Sequence, residues 1–169
     1  KKEFLVENSG NARLYITAHG IYNAYINGKK ASDFILAPGT SQYNARLQYQ
    51  TYDVSGLLNV GKNEILVTVG DGWWRGDTGY GGVQNSFGID LAILCQLEID
   101  RKTVLISDKS WSASQEGPLG LNDLMQGECY DARKENICEW HPVTEKQFGY
   151  ENLVCSNSFD VVEKENYTG

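Results

Sequence analysis

The residues best equipped for chemistry crowd into one stretch, Gly70-Asp71-Gly72-Trp73-Trp74-Arg75-Gly76-Asp77-Thr78-Gly79-Tyr80-Gly81-Gly82, directly after the apolar run Ile65-Leu66-Val67-Thr68-Val69. It holds six glycines, two tryptophans, two aspartates, an arginine and a tyrosine. Ordering such a loop is costly, because glycine loses more backbone freedom on folding than any other residue. A saccharide site needs flat aromatic faces against C–H surfaces and planar polar side chains against vicinal hydroxyls. Trp73, Trp74, Tyr80 and Phe87 supply the faces; Asp71, Arg75, Asp77, Gln84, Asn85 and Asp90 supply the polar groups. The same oxygen-rich loop can hold calcium, which takes roughly six to eight oxygen ligands. A purely architectural role competes with both. Adjacent tryptophans at a strand end face opposite ways, so one of the pair is expected in the core, and Arg75 can pair with a neighbouring aspartate to pin the loop.

Other chemistries have few places to live. Only His19 and His141 are present, the first in a polar connection between strands and the second before Pro142 in an extended segment. No Gly-x-Ser-x-Gly elbow occurs, and Gly70-x-Gly72-x-x-x-Gly76 is neither a phosphate loop nor a dinucleotide fingerprint. Asp71, Asp77 and Asp90 could form a glycosidase pair, which needs carboxyls about 5–9 Å apart, but a small sandwich without a deep cleft is an unusual home for one. The net charge of −7 argues against nucleic acid or an anionic membrane as partner, since both select clustered Lys and Arg. No apolar run approaches the ~18 residues of a membrane span. Lys1-Lys2-Glu3-Phe4 opens no signal peptide, and the start reads as cut from something longer. Cys95, Cys129, Cys138 and Cys155 match no zinc or redox spacing. Cys95 falls in the alternation Leu91, Ile93, Cys95, Leu97, Ile99 and is expected to be buried; reduced thiols are favoured for the others. Asn166-Tyr167-Thr168 fits a glycosylation sequon.

The elements that must position these groups are strands. Period-2 patterns dominate and no sustained 3.6-residue stripe appears. Arg13 to Ala18 alternates as a half-buried strand, and Ile21 to Ile26 follows, closed by the hairpin signal Asn27-Gly28 with Lys29-Lys30-Ala31 leading out. Leu47 to Val54 is another alternating strand, Ser55 to Leu58 a short helical turn, and Glu64 to Val69 a strand with one apolar face. Tyr49 and Tyr52, three apart in their strand, should face opposite ways. Asp90 to Asp100 is the longest clean strand, Val104 to Ser107 returns antiparallel, and Trp111 to Ser114 continues the meander with Trp111 in the core. Glu128 to Ala132 is the best strand in the loop-rich stretch after it. Trp140-His141-Pro142 reads as irregular covering chain, and Leu153 to Cys155 and Phe159 to Val162 as late strands. Whether Ser41 to Arg46, a second polar aromatic cluster, approaches the glycine loop is open. With 169 residues, no internal repeat and no composition break, the expectation is one all-β domain, an antiparallel β-sandwich.

The run Ala12 to Lys29, with its Tyr25-Ile26-Asn27-Gly28-Lys29 hairpin, resembles the opening of the N-terminal β-sandwich domain of bacterial α-L-rhamnosidases. Leu36-Ala37-Pro38-Gly39, Leu47 to Val54, Gly70 to Gly76, Ser107 to Trp111 and Gly127 to Arg133 continue the resemblance in order, from about residue 12 to 143. It implies a jelly-roll, galactose-binding-like accessory domain over residues 1–143, ahead of an (α/α)6-barrel that cleaves terminal α-L-rhamnose with its own carboxylates. Residues 144–169 would then be an extension or linker toward the next domain, or would complete the sandwich. The implied partners are a rhamnose-containing saccharide and the catalytic barrel of the same polypeptide. The chain itself would carry no catalytic residue, and Asp71, Trp73, Trp74, Arg75, Asp77, Tyr80 and Asn85 would form the sugar site. Some similar domains hold L-rhamnose through calcium, whose ligands cannot be placed here. Thr40 stands where the family usually carries a tryptophan, which counts against sugar binding. The resemblance implies a bacterial source and leaves cytoplasm and export both open. Two alternatives stand beside it: a purely structural domain, exposing an apolar patch, and a small stand-alone glycosidase.

Overall fold

The computed structural model describes residues 1–136 and 138–165; the Asn166-Tyr167-Thr168 sequon lies outside them. Among the described residues thirteen strands follow one another: β1 (Lys2–Val6), β2 (Ala12–His19), β3 (Ile21–Ile26), β4 (Lys29–Lys30), β5 (Leu47–Asp53), β6 (Gly61–Gly70), β7 (Ala92–Ile99), β8 (Lys102–Ile106), β9 (Ser112–Ala113), β10 (Leu119–Asp123), β11 (Gly127–Tyr130), β12 (His141–Pro142) and β13 (Leu153–Cys155). One helical turn, α1 (Gly72–Arg75), follows β6, and short 3-10 turns occupy Ser55–Leu57 and Ala132–Lys134.

Two larger sheets carry the fold, in the orders β1-β6-β3-β4 and β13-β5-β2-β7-β8. Their inner faces are supplied by the alternation. Leu14, Ile16 and Ala18 of β2, Cys95, Leu97 and Ile99 of β7, Ala24 and Ile26 of β3, and Ile65 of β6 are all buried in one cluster with Trp111. Each large aliphatic side chain so buried contributes roughly 1.5–3 kcal/mol relative to leaving it in water. This is the expected all-β sandwich, antiparallel everywhere except at β13, which runs parallel to β5. Tyr22, Gln50 and Tyr52 put polar atoms into the core but pair them: the Tyr22 hydroxyl donates to Gln50 Oε1 at 2.8 Å and lies 3.0 Å from that of Tyr52. Burial pushes the Tyr22 phenol far up and that of Tyr52 up to about 12.

The hairpin forms as its residues require, with Asn27 (φ 51) and Gly28 (φ 76) left-handed between Ile26 and Lys29. Tyr52 is buried while Tyr49 is only partly so, and Cys95 is buried while the other three cysteines are free and exposed. Several expectations fail in detail. The longest strand is β6, not β7. Ser112 and Ala113 leave the meander and pair instead with β12, because the Trp111 indole turns inward and donates to Ile106 O at 2.9 Å. Trp140-His141-Pro142 therefore includes a two-residue strand. The strand at Gly127–Tyr130 has a partner, β10, that weak alternation concealed. Of the late strands, Leu153–Cys155 forms, whereas Phe159 to Val162 makes only an isolated bridge between Val162 and Phe34.

The chain steps from one sheet to the other between β2 and β3, at Gly20. A Cβ there would lie 2.3 Å from Gly70 O, so the end of β6 approaches closer than any side chain permits. This junction fixes where α1 begins.

Candidate functional site

α1 folds over the His19 end of the five-stranded sheet. Gly72 makes the approach possible: it is left-handed (φ 52), and a Cβ would strike Ile21 Cγ2 at 2.6 Å. The turn drives Trp74 inward, to 8% exposure. Its indole lies flat on the His19 imidazole, 3.7 Å away at 7°, with Tyr43 edge-on at 5.6 Å and Phe87 at 6.3 Å. Phe148 meets the other side of His19 edge-on at 4.5 Å. Trp74 Nε1 donates to Asp90 O at 3.0 Å, and the Tyr43 hydroxyl donates to Gly39 O at 2.8 Å. With Leu47, and with Trp73, Leu91 and Leu153 packed against them, these rings form a second small core outside the sandwich. Burial lowers the His19 pKa below its ordinary value, and His19 Nδ1 is buried without a partner. Burial pushes Tyr43 up to about 12.

The polar groups of the loop are largely engaged with one another. Arg75 donates through Nε to Asp71 Oδ1 at 2.8 Å and pairs with the same oxygen through Nη2; Nη1 reaches Ile89 O at 3.3 Å. The β10–β11 hairpin holds the next residues. Asp77 N donates to Asp123 Oδ2 at 2.8 Å, and Gln126 Nε2 donates to Asp77 Oδ2 at 2.7 Å. Asp123 is buried, which raises its pKa, but bonds from the amides of Gln126, Asp77 and Met125 outweigh that and leave it below the usual carboxylate range. Thr78 and Val83 exchange backbone bonds of 3.0 and 3.1 Å, closing a turn that leaves Tyr80 fully exposed. Asn85 is exposed and left-handed (φ 58), its amide donating to Arg75 O at 2.9 Å.

Residues 7–163 match the model of the α-L-rhamnosidase N-terminal domain. The chain belongs to that family. It is 40% identical over 143 residues to an α-L-rhamnosidase of Formosa agariphila, a match that covers 80% of this chain and 15% of the relative. Among solved structures, native α-L-rhamnosidase from Aspergillus terreus superposes with a TM-score of 0.83 at 41% identity, over 90% of this chain and 19% of that one. The Streptomyces avermitilis α-L-rhamnosidase complexed with L-rhamnose gives 0.73 at 39% identity, over 80% and 14%. The chain thus spans under a fifth of the length of each of these relatives.

In this α-L-rhamnosidase N-terminal domain the seven candidate residues do gather at one end of the sandwich, but in different states. Trp74 is sealed beneath its neighbours and Trp73 is half-buried, so the pair divides as expected, although on a helical turn rather than a strand end. Asp71 and Arg75 bind each other, as the architectural reading requires. Asp77 is tied to the β10–β11 hairpin, and only Tyr80 and Asn85 face open water. Tyr43, from Ser41 to Arg46, does reach the loop. His19, Asp123 and Gln126 were not among the candidates; the alternation of β2 could have placed His19 on the outer face, but nothing local links Asp123 to a loop 46 residues earlier. For calcium the donor set does not fit. Among the described residues no three acidic, His or Cys side chains are grouped to hold a metal ion, and the loop's one buried unpartnered oxygen is Asp77 Oδ1.

Proposed function

We propose that this chain is a non-catalytic accessory domain of an α-L-rhamnosidase, and that the face built by the glycine loop and the β10–β11 hairpin packs on the remainder of the polypeptide. One observation carries this reading. The two segments are bonded into a single surface, yet Tyr80, Val83 and Ile89 on one and Met125 on the other stay exposed, Met125 by 68% and Ile89 by 67%. Clustered exposed apolar groups rimmed by satisfied polar ones are characteristic of interaction surfaces. The bulk of each relative lies outside the matched region, so a large partner surface within one polypeptide is available. Amide hydrogen exchange tests it by comparing this chain alone with the full-length polypeptide. Residues 78–89 and 119–130 should exchange markedly more slowly in the latter; equal rates in both would dispose of the packing role.

A second reading is favoured by Trp73, Tyr80 and Asn85, which remain partly or fully accessible around the engaged Asp71, Arg75 and Asp77. In it the loop holds an L-rhamnose-type sugar, the ligand in the Streptomyces avermitilis complex, with Trp74 supporting the site from below. Calorimetric titration of the chain with L-rhamnose, with and without calcium, decides it: no heat in either condition leaves the packing role alone.

A further inference from the structure

The outer face of the five-stranded sheet continues past the aromatic cluster into a different surface. Along β2 the outward side chains are His19, Thr17, Tyr15 and Arg13, alternating with the core residues Ala18, Ile16 and Leu14. His19 and Arg13 are six residues apart, about 20 Å at strand rise, so the two ends of the face do not share a site. At the Arg13 end the surface dips into a groove of about 520 Å3 lined by Asn11, Arg13, Tyr15, Glu98, Asp100 and Arg101. That lies within the roughly 300–1,000 Å3 of small-molecule sites.

The strand register fixes the groups. Arg13 stands between Asp53 on β5 and Glu98 on β7, and Tyr15 between Thr51 and Gln96. Gln96 Nε2 donates to Glu98 Oε1 at 2.7 Å, and Asn11 N donates to Asp100 Oδ1 at 3.0 Å, which holds the rim. Asp100 and Arg101 are left-handed (φ 49 and 66) in the tight turn from β7 to β8. Tyr15 meets Tyr49 edge-on at 6.4 Å. Yet among the described residues neither Arg13 nor Arg101 forms an ion pair, although three carboxylates share their neighbourhood; the ion pairs that form involve other residues.

We propose that this groove binds a neutral saccharide, with a sugar ring against Tyr15 and vicinal hydroxyls bridging Arg13 and Glu98. The donor inventory selects that ligand. A guanidinium only donates and a carboxylate only accepts, so a group bridging them must do both, as a hydroxyl does. A polyanion would meet Glu98, Asp100 and Asp53, and a polycation would meet Arg13 and Arg101. An uncharged ligand dense in hydroxyls, with a C–H face for the phenol ring, satisfies every wall. This site is independent of the glycine loop and of whether that loop packs or binds.

The test is a titration of the 15N-labelled chain followed by amide shifts, with L-rhamnose, a rhamnosyl-glucose disaccharide and digalacturonate as probes. Saturable shifts at Arg13, Tyr15 and Glu98 are expected with a neutral probe in the millimolar range, where a sugar contact of about 4 kcal/mol would place it. Arg13→Met and Tyr15→Leu should each weaken that binding about tenfold or more; circular dichroism confirms that each variant is folded. Silence at these amides with both neutral probes overturns the proposal. So does tighter binding of digalacturonate, which would make the groove an anion site, and so do shifts confined to residues 71–85, which belong to the loop.

Discussion

At the His19 end of the five-stranded sheet the outer face is roofed. α1, Tyr43 and Phe87 close over it, and Trp74 lies on the imidazole with 8% of its surface left to water. At the Arg13 end of the same face, on the same strand, Arg13 is exposed and Tyr15 is half-buried against Tyr49, and neither Arg13 nor Arg101 forms an ion pair among the described residues. The loop that looked richest in binding chemistry has most of it engaged in building the roof: Arg75 holds Asp71, the hairpin holds Asp77, and the glycines let backbone approach Ile21 and the indole. Residue types alone mark where a ligand site can be built. Guanidinium groups free of ion pairs beside a partly exposed aromatic ring mark where one still has capacity to bind.

The contrast is broken most forcefully at the tryptophan pair. Trp74→Ala should cost roughly 3–5 kcal/mol, the range for deleting a buried aromatic, whereas Trp73→Ala should cost less than half as much. Urea unfolding midpoints measure both, with an unchanged m-value confirming that the effect is on the folded state. Equal large losses would show that both rings are roof and would remove Trp73 from the sugar reading. Next in size is Gly88→Ala. A Cβ there would meet Trp74 Cζ2 at 2.6 Å, and the overpacking should cost roughly 1–3 kcal/mol. An unchanged midpoint would mean that residues 86–89 lift freely from the indole and that the roof is looser than its contacts indicate.

The roof should also respond to pH through His19. Burial holds its folded pKa below the unfolded value near 6.5. Above about pH 7 the imidazole is neutral in both states and contributes no pH dependence. As pH falls through the unfolded pKa, the unfolded chain takes the proton first, so stability declines until the folded pKa is passed. Trp74 and Phe148 pack on the ring, and burial accounts for its lowered pKa. Melting temperatures at pH 7.5 and 5.5 should therefore fall in the native chain and fall less in His19→Gln. Parallel declines would assign the pH dependence elsewhere.

What the sequence made legible follows the same division. Strand alternation exposes core faces, so β2, β3, β5 and β7 could be read nearly residue by residue and β6 over Glu64 to Val69, its Gly61 to Asn63 start resembling a turn, and the Asn27-Gly28 turn fixed a register. The roof could not be read, because its parts come from Tyr43, Phe87 and Phe148 in irregular segments and Trp74 in a single helical turn, with no period to bring them together. Asp123 is invisible for the same reason: its role depends on a hairpin whose first strand alternates too weakly to announce itself. The groove at Arg13 was written in the alternation, as the polar half of a strand whose apolar half is core. Nothing in that pattern distinguishes it from an ordinary solvated face, which an outward Arg, Tyr and Glu also make.

The smallest expected effect is the sharpest test of that last point. If the open half of the sheet is not part of the scaffold, Arg13→Ala should change stability by no more than about 0.5 kcal/mol, as exposed substitutions away from structural features do. Cross-strand neighbours make this a demanding expectation. Arg13 faces Asp53 and Glu98, and an opposite-charge pair in a sheet contributes roughly 0.2–1 kcal/mol relative to alanine. Removing the cation would also leave two carboxylates flanking an uncharged position. A double-mutant cycle of Arg13→Ala with Glu98→Gln separates the possibilities. A coupling near zero there, and in the matching cycle with Asp53→Asn, means the guanidinium is held by neither strand and remains free for a ligand. A coupling approaching 1 kcal/mol means the strands already use it, and the difference between the two ends of the face would then be one of burial alone.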